Sequence, residues 1–343
     1  MGRLTLSEKH ANRELSILKI VIEDFIRTAS PVASLRLKES YGLEISPASI
    51  RNTLHQLEEI GYLGHLYTSS GRIPTDSGYR LYVNELMGIP KDASSEISQF
   101  MGELALVSCT VEEILQISAD SLAKLSSLFG FVIWSPLGDS TLTDLELLKL
   151  SSGKLLLILG FEFSSIESIM LDVTTELNES HLDLVRSILR ERLLGLKERD
   201  LRKTVPDRLR ESELSNSEII RNVIENAHSY FRVNEKTLLC TSSKEQLLEN
   251  PEFSNSEEMQ AIVSALDDEH VITRSVEELG CSTVAIGKEN LETALRRCSV
   301  VISQFGGDSF MGHLGILGPT RLDYRKVQGL VNSFSRHIPI LIK

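Results

Sequence analysis

Between Ser46 and Glu59 the chain holds side chains suited to reading base-pair edges. At about 100° per residue, Ile50, Leu54 and Leu57 share one helical face. Ala48, Asn52, His55, Gln56 and Glu59 share the other, with Ser49 and Arg51 on the flanks. Asn and Gln can bond adenine in bidentate fashion, and Arg can do so with guanine. Ser46 and Ser49 stand at the helix start, where hydroxyls and open backbone N–H groups suit phosphate oxygens. Further on, Thr68 and Ser69 open a Thr-Ser-Ser-Gly turn, with Arg72 and Thr75 just after it. An arginine beside such a turn can enter a minor groove or grip a phosphate. Double-stranded DNA is therefore the expected partner. An ordinary solvated helix face with a surface hairpin has the same pattern, and the pattern alone leaves both readings open.

The elements that would position these groups are legible upstream and downstream. Leu15, Leu18, Ile22, Phe25 and Ile26 predict a first amphipathic helix. Ser30-Pro31 predicts the start of a short helix through Leu35 and Leu37, ended by Tyr41-Gly42. Ser46-Pro47 repeats the start signal, Ile50, Leu54, Leu57 and Ile60 mark the core face, and Gly61 is the stop. This is a helix-turn-helix arrangement. Tyr62 to Tyr67 and Arg72-Ile73-Pro74 then read as a β-hairpin, the wing of a winged helix, with Arg72 at its tip. Thr75 to Leu86 predicts another helix, with Tyr79, Tyr82, Val83 and Leu86 on one side.

Beyond a linker at Gly88 to Asp92, the periodicity predicts a helix over 97–128. Strands follow at Phe129 to Trp134, Leu145 to Leu150, Leu155 to Phe161 and Ile166 to Val173. Residues 176–233 are charged and helical in pattern. Strand signals resume at Leu238-Leu239, Ser282 to Ile286, Val300 to Ser303 and Leu314 to Leu317, before a terminal amphipathic helix capped by Asp323. The expected fold class is α+β multidomain: an N-terminal winged helix-turn-helix over 1–88, an α/β domain over 94–175 and 260–343, and an inserted, mostly helical domain over 176–259.

Charge sharpens the division. The 343-residue chain carries a net charge of −12, yet residues 1–88 hold ten Lys+Arg against ten Asp+Glu. The acidic excess lies wholly outside the segment expected to meet a polyanion. With 41% apolar and 24% charged residues, each domain can bury a core. The longest apolar stretch, Leu155 to Phe161, is far short of the ~20 residues needed to span a bilayer. No signal segment opens the chain, and Leu6 stands where a myristoylation motif needs Ser or Thr. Cys109, Cys240, Cys281 and Cys298 form no CxxC pair and read as reduced thiols, so a cytoplasmic protein is expected.

Other chemistry finds little support. No GxGxxG, GxxxxGK[ST] or GxSxG occurs, so Gly306-Gly307-Asp308, Gly312, Gly315 and Gly318 read as turns, and His313 lacks a nucleophile partner. His181, His228, His270 and His337 lack metal-ligand spacing. The sequence thus predicts no enzyme, no metal and no cofactor. Phe129, Phe131, Trp134, Phe161 and Phe163 fit a packed core or the lining of a small-molecule pocket. Arg186, Arg190, Arg192, Arg199, Arg202, Arg208 and Arg210 alternate with acids. They read as a salt-bridge-laced face beside an apolar seam of Leu182, Val185, Leu189 and Leu193, a second DNA surface being the alternative. That seam is the expected dimerisation surface.

Two runs also resemble a known family. Tyr41-Gly42-Leu43, Ser46 to Asn52, Thr68 to Thr75 and Gly78-Tyr79-Arg80 are similar to the heat-inducible transcription repressor HrcA family, as is Gly312 to Tyr324 near the other end. The match departs at Thr53-Leu54 and Gly64-His65-Leu66. The resemblance implies a homodimeric repressor that binds an inverted-repeat CIRCE-type operator of chaperone operons. It implies a GAF-like fold for the α/β domain and a dimerising role for the insertion. It also implies that chaperonin assists the repressing state and that heat relieves it. The alternative is a metabolite-sensing winged-helix repressor with the GAF-like domain as sensor.

Overall fold

The computed structural model describes residues 6–65, 71–91, 93, 95, 97, 110–137, 139–151, 153–162, 166–174, 178–231, 237–253, 256–280, 283–307 and 310–342. It is a mixed helix and sheet protein with several sheets. Helix α1 (Leu6–Thr28) buries Ile17, Leu18, Val21 and Ile22, the stripe its periodicity requires. Helix α2 (Ser34–Tyr41) ends at Gly42, whose φ of 59° is the left-handed conformation a helix stop favours. Helix α3 (Pro47–Glu59) starts with Pro47 in its first turn. Strands β1 (Leu63–Gly64) and β2 (Ile73–Pro74) pair antiparallel, and helix α4 (Asp76–Leu81) widens into a π-turn over Tyr82–Leu86.

Several expected boundaries move. Helix α2 starts at Ser34, because Val32 is drawn into a backbone bridge with Arg72 and Ala33 becomes the cap. Leu35 is accordingly exposed. Ile60, expected in the core, follows the last helical residue and is 60% exposed, whereas Thr53 is buried. Leu66 to Ser70 lie outside the described residues, as do 98–109 of the expected helix over 97–128.

Helix α5 (Val111–Ser126) opens on a capping box, with Thr110 Oγ1 accepting from the Glu113 N–H and Glu113 Oε2 from the Thr110 N–H. Strand β3 (Phe129–Pro136) follows and belongs to a five-stranded antiparallel sheet. Its other strands are β7 (Leu238–Thr241), β8 (Val284–Ile286), β9 (Cys298–Gly306) and β10 (Phe310–Pro319), in the order β7-β3-β10-β9-β8. Helices cover both faces, which explains the near-continuous apolar runs. Val132, Trp134, Leu314 and Ile316 face α5 and the terminal helix α13 (Tyr324–Leu341). Phe131, Ile133, Val300 and Leu317 face α11 (Ser256–Asp267) and α12 (Glu269–Leu279). Of the expected aromatic residues, Phe129, Phe131 and Trp134 are thus packed core, Phe161 is buried in a separate core, and Phe163 lies outside the described residues.

The insertion is larger than expected, and not mostly helical throughout. Strands β4 (Leu142–Ser151), β5 (Lys154–Phe161) and β6 (Ile166–Asp172) form their own antiparallel sheet. Its inner face shares one core with α6 (Glu179–Leu193), α7 (Glu198–Arg210), α8 (Glu218–Glu225) and α9 (Ala227–Tyr230). The expected boundary at 175/176 therefore cuts through a packed unit. At the other end, β7, α10 (Glu245–Leu248), Phe253 and α11 pack with the five-stranded sheet, so the boundary at 259/260 is late by about two elements.

The expected dimer seam is corrected by the same packing. Leu182, Val185, Leu189 and Leu193 are each at most 1% exposed, buried against β4 to β6 within one chain. Within the chain they are core side chains, not a surface seam. The interleaved arginines have a local role instead: Arg186 donates to Leu147 O at 2.9 Å and Arg190 to Leu145 O at 2.7 Å, covering the free edge of β4.

Candidate nucleic-acid interface

Helix α1 carries the buried anchor of the helix pair. Asp24 is fully buried, and its Oδ1 accepts from Arg27 at 2.8 Å, from Arg36 at 3.2 Å and from the Tyr41 hydroxyl at 3.1 Å. One carboxylate thereby ties both ends of α2 to α1. A buried charge is tolerated only when paired in this way. With α2 fixed, Leu37 and Ile50 close the core beneath α3.

Helix α3 leaves Ala48, Arg51, Asn52, His55, Gln56 and Glu59 exposed on one face. Ser46 is its N-cap: Ser46 Oγ accepts from the Ser49 N–H at 3.1 Å, and the two hydroxyls lie 3.0 Å apart. The serines thus fix the helix start, with Ser46 itself exposed. His55 Nδ1 stands 3.6 Å from Glu59 along the same face. Arg51, Asn52, His55 and Gln56 are brought together as a contiguous array of donors and acceptors.

The described part of the hairpin is its paired stem. Arg72 directly precedes β2, on the loop side of the Gly64–Ile73 rung, with its backbone bridged to Val32. Its guanidinium folds back on α3, where Nη2 donates to Glu58 Oε2 at 2.7 Å. His65, just past β1, engages the other oxygen of the same carboxylate. Burial opposes ionisation of Glu58, but the His65 hydrogen bond and the Arg72 charge outweigh it and hold the carboxyl below its usual range. Thr75 is a structural pivot: Oγ1 donates to Gly61 O at 2.6 Å and accepts from the Gly78 N–H at 3.2 Å. Thr68 and Ser69 lie outside the described residues. Sequence reasoning missed Glu58 and His65. The available signal was an acid near the end of α3, a few residues ahead of His65 and Arg72 in the hairpin.

Elsewhere the described residues hold no group of three or more His, Cys, Asp or Glu placed for a metal ion. No helix among them is long and apolar enough to cross a membrane. Cys240 and Cys298 are buried, which pushes their thiols up to about 11 and about 12; Cys109 and Cys281 lie outside the described residues. Two clefts of about 580 and 380 Å³ adjoin Arg80 and Glu289, where the N-terminal unit meets the five-stranded sheet.

A family model described as the HrcA protein C-terminal domain matches residues 112–327. The chain is 29% identical over 338 residues to a heat-inducible transcription repressor HrcA of Chlorobium phaeobacteroides (strain BS1), covering 94% of this chain and 95% of that one. It is 28% identical over 337 residues to the protein so named in Natranaerobius thermophilus, covering 96% of each. A solved crystal structure of a hypothetical protein superposes with a TM-score of 0.59 over 96% of this chain and 98% of that one. At 19% identity that likeness concerns the fold alone.

Proposed function

Because the chain belongs to the HrcA family of heat-inducible transcription repressors, we propose that it silences chaperone operons by docking two winged helices on an inverted-repeat CIRCE-type operator. The protein is a negative regulator of heat-shock genes, a class of protein that is not an enzyme. The observation that carries the mechanism is the exposed array of Arg51, Asn52, His55 and Gln56 on a helix whose opposite face is core. In a winged helix such a face enters the major groove, with amides suited to adenine and arginine to guanine. We assign contacts to the flanking phosphates to Ser46, Ser49, Thr68, Ser69, Arg72 and Thr75.

A palindromic operator calls for a two-fold protein. With the helical seam buried, the surface that fits a second copy is the outer face of the insertion's sheet. Leu148, Leu156 and Met170 are register partners there, beside Ile158 and Ile166. Met170 is 47% and Ile166 73% exposed, an apolar concentration that a lone soluble chain rarely presents.

The repressor acts in the cytoplasm, and chaperonin raises the fraction of it that is competent for DNA. Apparent affinity scales with that fraction, so diverting chaperonin to unfolded clients on heating lowers occupancy. The test is a salt-controlled mobility shift on the inverted repeat and on a scrambled duplex, with and without chaperonin. Operator preference that Asn52→Ala and Gln56→Ala abolish is the expected result, together with a chaperonin-dependent rise in active fraction. Equal binding to both duplexes overturns the reading.

A further inference from the structure

The two runs that carry the family resemblance sit at opposite ends of the chain, yet they meet in space. The Tyr79 and Tyr324 rings, both buried, pack with centroids 5.8 Å apart. Around them runs a set of directional polar links. Arg80 Nε donates to Glu289 Oε1 at 2.8 Å while Nη2 reaches Val284 O at 2.9 Å. Asp76 Oδ2 accepts from the Lys288 N–H at 3.0 Å, and Gly287, at φ 56°, leaves no room for a Cβ against that carboxylate. Arg321 Nη1 donates to Ile26 O at 2.6 Å, its Nε engaging Glu252. The connecting segment is held too, with the Lys91 N–H donating to Arg325 O at 3.0 Å and Arg325 Nε to Ile89 O at 2.8 Å.

None of these residues belongs to the exposed face of α3 or to the outer face of the β4–β6 sheet. Apolar burial alone is non-directional and would tolerate rotation of one unit on the other. Guanidinium bonds to the backbone carbonyls Ile26 O and Val284 O fix that rotation. We propose that this junction is an orientation lock: Arg80, Arg321 and Tyr324 are positioning residues that set the angle at which each winged helix is offered to its half-site, and so determine which half-site spacing the dimer accepts. The inference rests on the operator-binding dimer proposed above. Duplex DNA repeats about every 10.5 base pairs, so half-sites offset by about five face opposite sides of the helix. Locked heads cannot follow that change, whereas loosened heads can.

The experiment uses the full chain, an inverted-repeat duplex series whose spacer is altered by one to five base pairs, and a single half-site duplex. The variant is Arg80→Ala with Glu289→Ala, which leaves neither charge without its partner. Arg80→Lys, which keeps a cation but cannot reach Glu289 and Val284 O together, serves as the milder second variant. Unaltered protein should lose about a hundredfold in affinity at the half-turn offset, the size of the avidity forfeited when two sites cannot be engaged together. The variants should bind the half-site like the unaltered protein and lose less than about tenfold at the offset. Variants that keep the full spacing penalty overturn the lock. Failure of unaltered protein to bind even the half-site overturns the DNA reading itself, and the lock with it.

Discussion

The Arg72 guanidinium stands 2.7 Å from Glu58 Oε2, so the hairpin arginine proposed to meet phosphate is held by α3. The same carboxylate takes His65, and one side chain thereby fixes both strands of the hairpin to α3. Order of the hairpin and availability of its cation are therefore opposed quantities.

Glu58→Gln separates them. It frees the guanidinium to neutralise about one more phosphate, which steepens the dependence of log K on log salt by about 0.9. It also loosens the hairpin. Affinity for a scrambled duplex should rise at low salt while the operator-to-scrambled ratio falls. Titrations at four salt concentrations measure both, and an unchanged slope would mean that Glu58 does not hold Arg72 back from DNA.

Asp24 is buried among Arg27, Arg36 and Tyr41. Asp24→Ala should cost about 2–3 kcal/mol, near the lower end for breaking a buried pair because both arginines retain access to water. Helix α2 should loosen with it. Denaturant unfolding measures the stability, and hydrogen exchange over α2 (residues 34–41) measures the loosening.

What was legible in the sequence follows from how local each signal is. Ser46-Pro47 and Gly61 frame α3 through short-range chemistry, and Asp323 caps α13 in the same way. Val32 could not be read, since its bridge to Arg72 depends on where the hairpin returns. The seam of Leu182, Val185, Leu189 and Leu193 has the period of any amphipathic helix. Periodicity reports that a face is buried but not by what, and here the answer is the β4–β6 sheet of the same chain. The clustering of Arg51, Asn52, His55 and Gln56 was legible because one helix carries all four. The junction of Tyr79 with Tyr324 joins sequence-distant residues, and no local pattern announces it.

The two candidate dimer surfaces give opposite outcomes. Met170→Lys or Ile158→Glu on the outer sheet face should convert dimer to monomer with the fold retained. Leu189→Ala, inside the second core, should instead cost about 2–5 kcal/mol of stability. Sedimentation equilibrium beside thermal unfolding separates the cases. A folded monomer from Leu189→Ala would return the interface to the helices.

Glu167, on β6, supplies a pH test of the inserted unit. Burial, and then the charge of Glu198, raises its carboxyl to about 7. Its folded value exceeds the unfolded one, near 4.5, so the folded state binds the proton more tightly. The resulting stabilisation is fully present below the unfolded value and is lost as pH rises from about 4.5 through about 7. Unfolding of the insertion should therefore become easier between about pH 4.5 and about pH 7. Glu167→Gln should remove most of that slope, because the amide cannot ionise beside Glu198. Thermal melts followed by hydrogen exchange over residues 142–172 provide the measurement. An equal slope in the variant would move the titration to another group.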